Sequence, residues 1–225
     1  MTKMLQWAEA RLAYKFLNPE LLQLALTHRS AASSHNERLE YLGDAVLELV
    51  ITDALYSLKP NTDEGGLSRL RSFLVRKGTL ADIGTEINVA SQVILGSGER
   101  RTGGHQRASI LADTVEALLG AVYLDGGYPA AEKVIHTLFK IRLADLPDEN
   151  TLKDPKTVLQ EYLQSHSELP PEYDVLKVAG KAHQQIFTVS CTVVSRNIAV
   201  EATGISRRKA EQQAAQQLLQ QLLDE

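Results

Sequence analysis

Apolar positions along residues 1 to 146 recur at helical spacing, and no stretch of that region alternates at period two. "NPELLQLALTH" opens with Asn18 as a predicted N-cap and Pro19 in the first helical position. "NERLEYLGDAVLELVITDALYSL" predicts one long helix, "NTDEGG" a loop, and "LSRLRSFLVRKGTLADIGTEI" a return to helix. "GSGERRTGGHQR" reads as a Gly-rich basic loop. "ASILADTVEALLGAVYLDGG" predicts a helix stopped by Gly126 and Gly127, and "YPAAEKVIHTLFKIRLADL" supplies another. The region is therefore predicted to be all-α.

The period changes after "PDENTLKDP" at 147–155, which is polar, bracketed by prolines and read as a linker. "KTVLQEYLQSHS" predicts an amphipathic helix. "EYDVLKVAG" and "QQIFTVSCTVV" alternate, placing Phe187, Val189, Cys191 and Val193 on one face of a strand. A turn near Ser195 to Asn197 leads into a third strand, "NIAVEATG". Ser206 is the predicted N-cap of a closing helix that keeps Leu218, Leu219, Leu222 and Leu223 at helical spacing. The expected division is an all-α domain at 1–146, a linker at 147–155 and a small α+β domain of order α-β-β-β-α at 156–225.

Composition narrows the class without choosing a function. The 225 residues are 44% hydrophobic and 23% charged, as in a soluble globular protein. No run is long and apolar enough for a membrane span, and the N-terminus lacks the apolar core and cleavage site of a signal peptide, so no membrane and a cytoplasmic location are expected. Cys191 is the only cysteine, which excludes an intrachain disulfide and a multi-cysteine zinc site and fits a reducing compartment. The formal net charge of -4 gives no sign of a nucleic-acid binder, so any such case rests on local clusters.

The acids are the first such cluster. Glu37, Glu40 and Asp44 fall within about 60° on a helical wheel, because offsets of three and seven residues return to one face. A solvated face is the bland alternative. Against it, the same face turns apolar at Leu47 and Ile51, and Glu40 and Asp44 are a repelling i,i+4 pair. Asp113 and Glu116 lie on a helix that is apolar nearly all round, with no Lys or Arg three or four residues away. A buried, unpaired carboxylate costs several kcal/mol or takes up a proton. A shared hard cation such as Mg²⁺ would compensate both acidic segments. Neither acidic helix carries His three residues after Glu, no His has an i+4 His partner, and no Gly-x-Ser-x-Gly elbow is present. Metal-assisted phosphoryl transfer to water is the chemistry most consistent with this set.

The second cluster is cationic. Arg207, Arg208 and Lys209 occupy the first turn of the closing helix, where the helix dipole disfavours cations. A solubilising patch is one reading; a phosphate site formed by the helix N-terminus and three cations removes the conflict. Lys181 and His183, in the loop "GKAH", extend that site, although single loop residues of this kind are usually just solvated.

With these residues in place, "NERLEYLGDAVL" resembles the ribonuclease III signature, with Tyr41 where the family usually has Phe. "LTHRSA", "DEGGLSRLRS" and "ASILADTVEALLGAVYLDGG" match the same family in the expected order. "PKTVLQEYLQ", "GKAH" and "GISRRKAEQQAA" resemble a double-stranded RNA-binding domain, except that Glu211 stands where many such domains carry Lys, which is expected to weaken one phosphate contact. The resemblance implies an endoribonuclease that cuts double-stranded RNA as a homodimer with Mg²⁺ (Mn²⁺ as substitute) and no organic cofactor. It implies 5′-phosphate and 3′-hydroxyl ends with short 3′ overhangs, and a role in ribosomal and messenger RNA processing. By motif position it assigns Glu40, Asp44, Asp113 and Glu116 to the metal, with Asp44 and Glu116 catalytic, and makes Glu37 and Glu64 accessory acids. Tyr41 takes the place of an aromatic plug between subunits. Thr157, Gln160, Lys181 and His183 are expected to face the minor groove, and Arg207, Arg208 and Lys209 the phosphates between. A duplex-binding dimer that has lost catalysis should lack at least one of the four acids, and all four are present. A metal-dependent hydrolase of small phosphate esters has no need of a duplex reader.

Overall fold

The structure, a computed structural model, describes residues 2–182 and 184–224. By its internal contacts the chain divides at Leu152/Lys153 into two compact units.

The first unit is helical. Its elements are α1 (Thr2–Leu12), α2 (Pro19–Ala25), α3 (Glu37–Leu58), α4 (Glu64–Leu74), α5 (Lys77–Glu86), α6 (Ser97–Arg101) and α7 (Ala108–Ala144). Asn18 caps α2 as predicted, its side chain accepting from the Glu20 amide at 3.0 Å. In α3 the buried set Leu39, Gly43, Val46, Leu47, Val50, Ile51, Ala54 and Leu55 follows the 3.6 period, so one face meets the core and the other does not. The first half of α7 is buried nearly all round, from Ile110 to Val122, because other helices enclose it.

Three local details differ from the sequence reading. The two helices predicted on either side of Gly126 and Gly127 are joined end to end: Gly127 alone leaves helical geometry (φ 74, ψ -176), and Pro129 sits in the turn that restarts the helix. The single helix expected from Leu67 to Ile87 is broken at Val75 and Arg76. Arg76 is extended (φ -62, ψ 149), and the Thr79 hydroxyl donates to the Phe73 carbonyl at 3.1 Å, satisfying a group that the ended helix leaves open. The basic loop contains α6 and a short 3₁₀ turn at Gly104–Gln106.

The helical unit also runs into the segment expected to be a linker. The Thr62 hydroxyl donates to Glu149 Oε1 at 3.3 Å, Arg69 Nε donates to the Glu149 carbonyl at 3.2 Å, and Leu152 packs against the helical core.

The second unit is α8 (Pro155–Ser165), β1 (Glu172–Ala179), β2 (Ile186–Val193), β3 (Ile198–Gly204) and α9 (Arg207–Asp224), with an antiparallel sheet in the order β1-β2-β3. The predicted alternation sets the buried face: Val189, Cys191 and Val193 are buried, and Cys191 pairs with Tyr173 on one side and Val200 on the other. Leu159 and Leu163 of α8, and Ala214, Ala215, Leu218 and Leu222 of α9, close that core, while Leu223 faces outward. No helix among the described residues is long and apolar enough to cross a membrane.

Candidate active site

Helices α3 and α7 pack along one another, and this packing brings the two acidic segments together. Glu40 from α3 and Asp113 and Glu116 from α7 each offer a carboxylate oxygen, and all three oxygens lie within 4.8 Å of one another. They line a pocket of about 750 Å³ that also contains Asp44, Glu37 and Tyr41. Glu116 is buried, Glu40 and Asp113 are half-buried, and Asp44 is exposed at the pocket wall.

The electrostatics follow from this burial. Desolvation, reinforced by the charges of Asp44, Glu40 and Asp113 and opposed by Lys77, pushes the Glu116 carboxyl up to about 7. Burial, and next the charge of Asp113, also pushes Glu40 upward. Burial first, and the neighbouring carboxylates second, thus disfavour the charged form of Glu116, and a bound cation would offset both. The donor set is three carboxylates with no His or Cys, which fits a hard divalent ion. Glu40, Asp113 and Glu116 form the tight group; Asp44 borders it.

The expectation that Asp113 lacks a cationic partner is corrected. Lys77 Nζ, at the start of α5, donates to Asp113 Oδ1 at 3.0 Å, and that bond raises the lysine's own pKa. Local spacing on α7 could not reveal this partner, because it comes from another helix. A signal was nevertheless present. Lys77 follows Arg76, so two cations stand at a helix start, the same conflict seen at Arg207 to Lys209, but it is invisible while α4 and α5 are read as one helix. Arg29 and Arg107, also unassigned from the sequence, line the same pocket, paired with Glu37 at 3.1 Å and Glu99 at 2.7 Å.

The remaining acids are placed differently from each other. Glu37 lies in the acidic pocket, with His35 Nδ1 at 3.8 Å as a second neighbour. Glu64 lines a separate pocket of about 190 Å³ with Tyr56 and Arg71, and accepts from the Ser68 hydroxyl at 2.9 Å. Within this chain Glu64 is not brought to the acid cluster. Tyr41 is 82% exposed, although it belongs to the same helix as the buried core residues.

In the second unit Thr157 and Gln160 are exposed on α8, and Lys181 is exposed in the β1–β2 loop; His183 lies outside the described residues. Arg207, Arg208 and Lys209 are exposed in the first turn of α9, where the Lys209 amide donates to the Ser206 hydroxyl at 3.3 Å. Glu211 does more than occupy a position where the RNA-binding family often has Lys. It is buried and receives Lys156 Nζ at 2.6 Å and Arg207 Nε at 2.7 Å. Burial pushes its carboxyl up, and those two hydrogen bonds outweigh burial and hold it low. Asp154 stands 3.5 Å from Arg208. Two of the three cations are thus held by acids of their own unit, and Lys209 has no ion-pair partner among the described residues.

Comparison with known proteins places both units. The Ribonuclease-III-like family matches residues 18–142, and the double-stranded RNA binding motif matches 155–222. Ribonuclease 3 of Alkalilimnicola ehrlichii is 52% identical over 214 residues, covering 95% of this chain and 94% of the relative. Ribonuclease 3 of Nitrosococcus oceani is 49% identical over 227 residues, covering 100% of this chain and 97% of the relative. The solved nuclease domain of ribonuclease III from Campylobacter jejuni, described as flexible in a region involved in dimer formation, superposes with a TM-score of 0.61 at 37% identity, covering 63% of this chain and 99% of that one.

Proposed function

The chain belongs to the ribonuclease III family and is a double-stranded-RNA endoribonuclease, and from that premise we propose how its residues divide the work. The convergence of Glu40, Asp113 and Glu116 within 4.8 Å, beside Asp44, is the observation that carries the reading. These four acids would hold Mg²⁺, with Mn²⁺ able to replace it. When bound, the ion lowers the pKa of coordinated water and stabilises charge developing on a phosphodiester. Glu116, buried on α7, would keep the donor set in one geometry and hold the ion as a carboxylate. Asp44, exposed at the pocket wall, orients the attacking water through its carboxylate oxygens. Glu37 remains an accessory acid of this pocket, and Glu64 becomes one only where a second subunit presents it.

Duplex selection belongs to the second unit. Thr157 and Gln160 would reach 2′-hydroxyls across the minor groove, joined by Lys181 and His183 from the β1–β2 loop, while Arg207, Arg208 and Lys209 lie against phosphates. Most affinity, and its salt dependence, then resides away from the reacting atoms. The working form is a homodimer, in which Tyr41 of each subunit enters the other. Its exposure on an otherwise core-forming helix, and the dimer-forming region of the Campylobacter nuclease domain, support this. Two sites acting on opposite strands yield 5′-phosphate and 3′-hydroxyl ends with short 3′ overhangs. The biological role we propose with it is processing of ribosomal and messenger RNA in the cytoplasm.

The test is incubation of the protein with an end-labelled RNA duplex, with and without Mg²⁺. Paired cuts with 5′-phosphate ends and an overhang, absent in EDTA, are expected. Metal-independent cleavage or 3′-phosphate products would refute the assignment.

A further inference from the structure

Lys77 is the first residue of α5, a helix that carries none of the clustered acids, yet its Nζ lies 3.0 Å from Asp113 Oδ1 in the wall of the acidic pocket. The position is locally unfavourable: a cation in a first turn opposes the helix dipole, and Arg76 precedes it. Packing does not explain the placement either, since the side chain is 70% exposed. The other pocket cations are engaged elsewhere, Arg29 with Glu37 and Arg107 with Glu99. Among the described residues, Lys77 is therefore the one cation bound to the Glu40–Asp113–Glu116 group.

We propose that Lys77 is a built-in counter-cation of the metal site, holding Asp113 and offsetting the cluster until a divalent ion displaces it. The inference rests on the reading of this cluster as the metal site. The Lys77 ammonium supplies one charge and here bonds one carboxylate oxygen, whereas a divalent ion supplies two charges and takes oxygens from several carboxylates. The ion therefore wins at sufficient concentration, but it must compete. Lys77 makes metal entry an exchange: one cation in, one ammonium out. It is a positioning residue, acting through Asp113. It gives the metal-free acids a defined arrangement and makes occupancy depend on the concentration of divalent ion.

The experiment is a Mn²⁺ titration without RNA, read by calorimetry and by the resonance of free Mn²⁺, on the full-length wild type, Lys77→Gln, Lys77→Arg and Glu116→Gln. Melting temperatures are measured for each in EDTA and in Mn²⁺. Lys77→Gln should bind Mn²⁺ about threefold tighter or more, the factor expected for release of an exposed ion pair. It should also melt lower than wild type in EDTA and recover in Mn²⁺, and Lys77→Arg should follow wild type in both. Equal or weaker Mn²⁺ binding by Lys77→Gln, with wild type binding normally, would overturn the role of Lys77 and leave the metal site standing. Absence of Mn²⁺ binding by wild type, with Glu116→Gln indistinguishable from it, would remove the metal site and this proposal together.

Discussion

Gly43 of α3 and Gly120 of α7 mark a place where the two acidic helices touch backbone to backbone. A Cβ on Gly43 would lie 1.8 Å from the Glu116 carbonyl oxygen and 2.9 Å from the Gly120 amide nitrogen; one on Gly120 would lie 2.3 Å from the Leu39 carbonyl oxygen. Glycine inside a helix costs up to about 1 kcal/mol against alanine, and here that cost permits the approach that places Glu40 beside Asp113 and Glu116. Gly43→Ala should therefore both destabilise the protein, by about 1–3 kcal/mol or more, as overpacked sites do, and weaken divalent-ion binding. Thermal melting with a Mn²⁺ titration checks this; an unchanged melt and unchanged affinity would mean that the contact does not set the site.

The raised Glu116 carboxyl predicts an unusual pH dependence. With a folded value of about 7 against 4.5 in the unfolded chain, the folded state binds more protons across that interval, so stability falls as pH rises from about 4.5 to 7 and then levels off. The loss is on the order of 3 kcal/mol for the metal-free protein, and Glu40 adds to it with the same sign. Glu116→Gln should flatten the fall measured in EDTA, and divalent ion should flatten it for the wild type. The same substitution should abolish cleavage while leaving duplex binding nearly intact, because phosphate contacts elsewhere supply the affinity. Near-normal turnover of Glu116→Gln at millimolar Mg²⁺ would disprove the assignment.

Tyr41, 82% exposed, makes little contact within its own subunit. If it anchors the dimer, Tyr41→Ala should raise the dimer dissociation constant tenfold or more, about 1.4 kcal/mol per decade. Tyr41→Phe, which keeps the ring, should change it far less. Sedimentation across a dilution series reads both. A dimer constant unaffected by Tyr41→Ala would take this residue out of the interface.

A chain ending at Leu152 should fold and dimerise, because Glu149 and Leu152 pack onto the helical unit and the cut leaves that core whole. Without Arg207, Arg208 and Lys209 it should cleave duplex RNA at low salt and lose activity steeply toward physiological salt. Activity at physiological salt equal to that of the full chain would show that the second unit is dispensable for binding.

The sequence alone determined what depends on neighbours a few positions away. Period 3.6 throughout residues 1–146, and after residue 155 period-2 segments flanked by two helical ones, identified an all-α unit and an αβββα unit, and the wheel positions of Glu40 and Asp44 placed them on one face. Asn18 declared its cap, and Val189, Cys191 and Val193 their buried face, for the same local reason. Tertiary structure decided what depends on which faces meet. Lys77 reaches Asp113 across 36 positions, and Lys156 reaches Glu211 across 55. The break at Arg76 was hidden because apolar spacing continues through it. Periodicity records that a face is buried but carries no information about what buries it. The partner is selected by close packing between distant segments, and the approach at Gly43 and Gly120 turns two acidic stretches of sequence into one site.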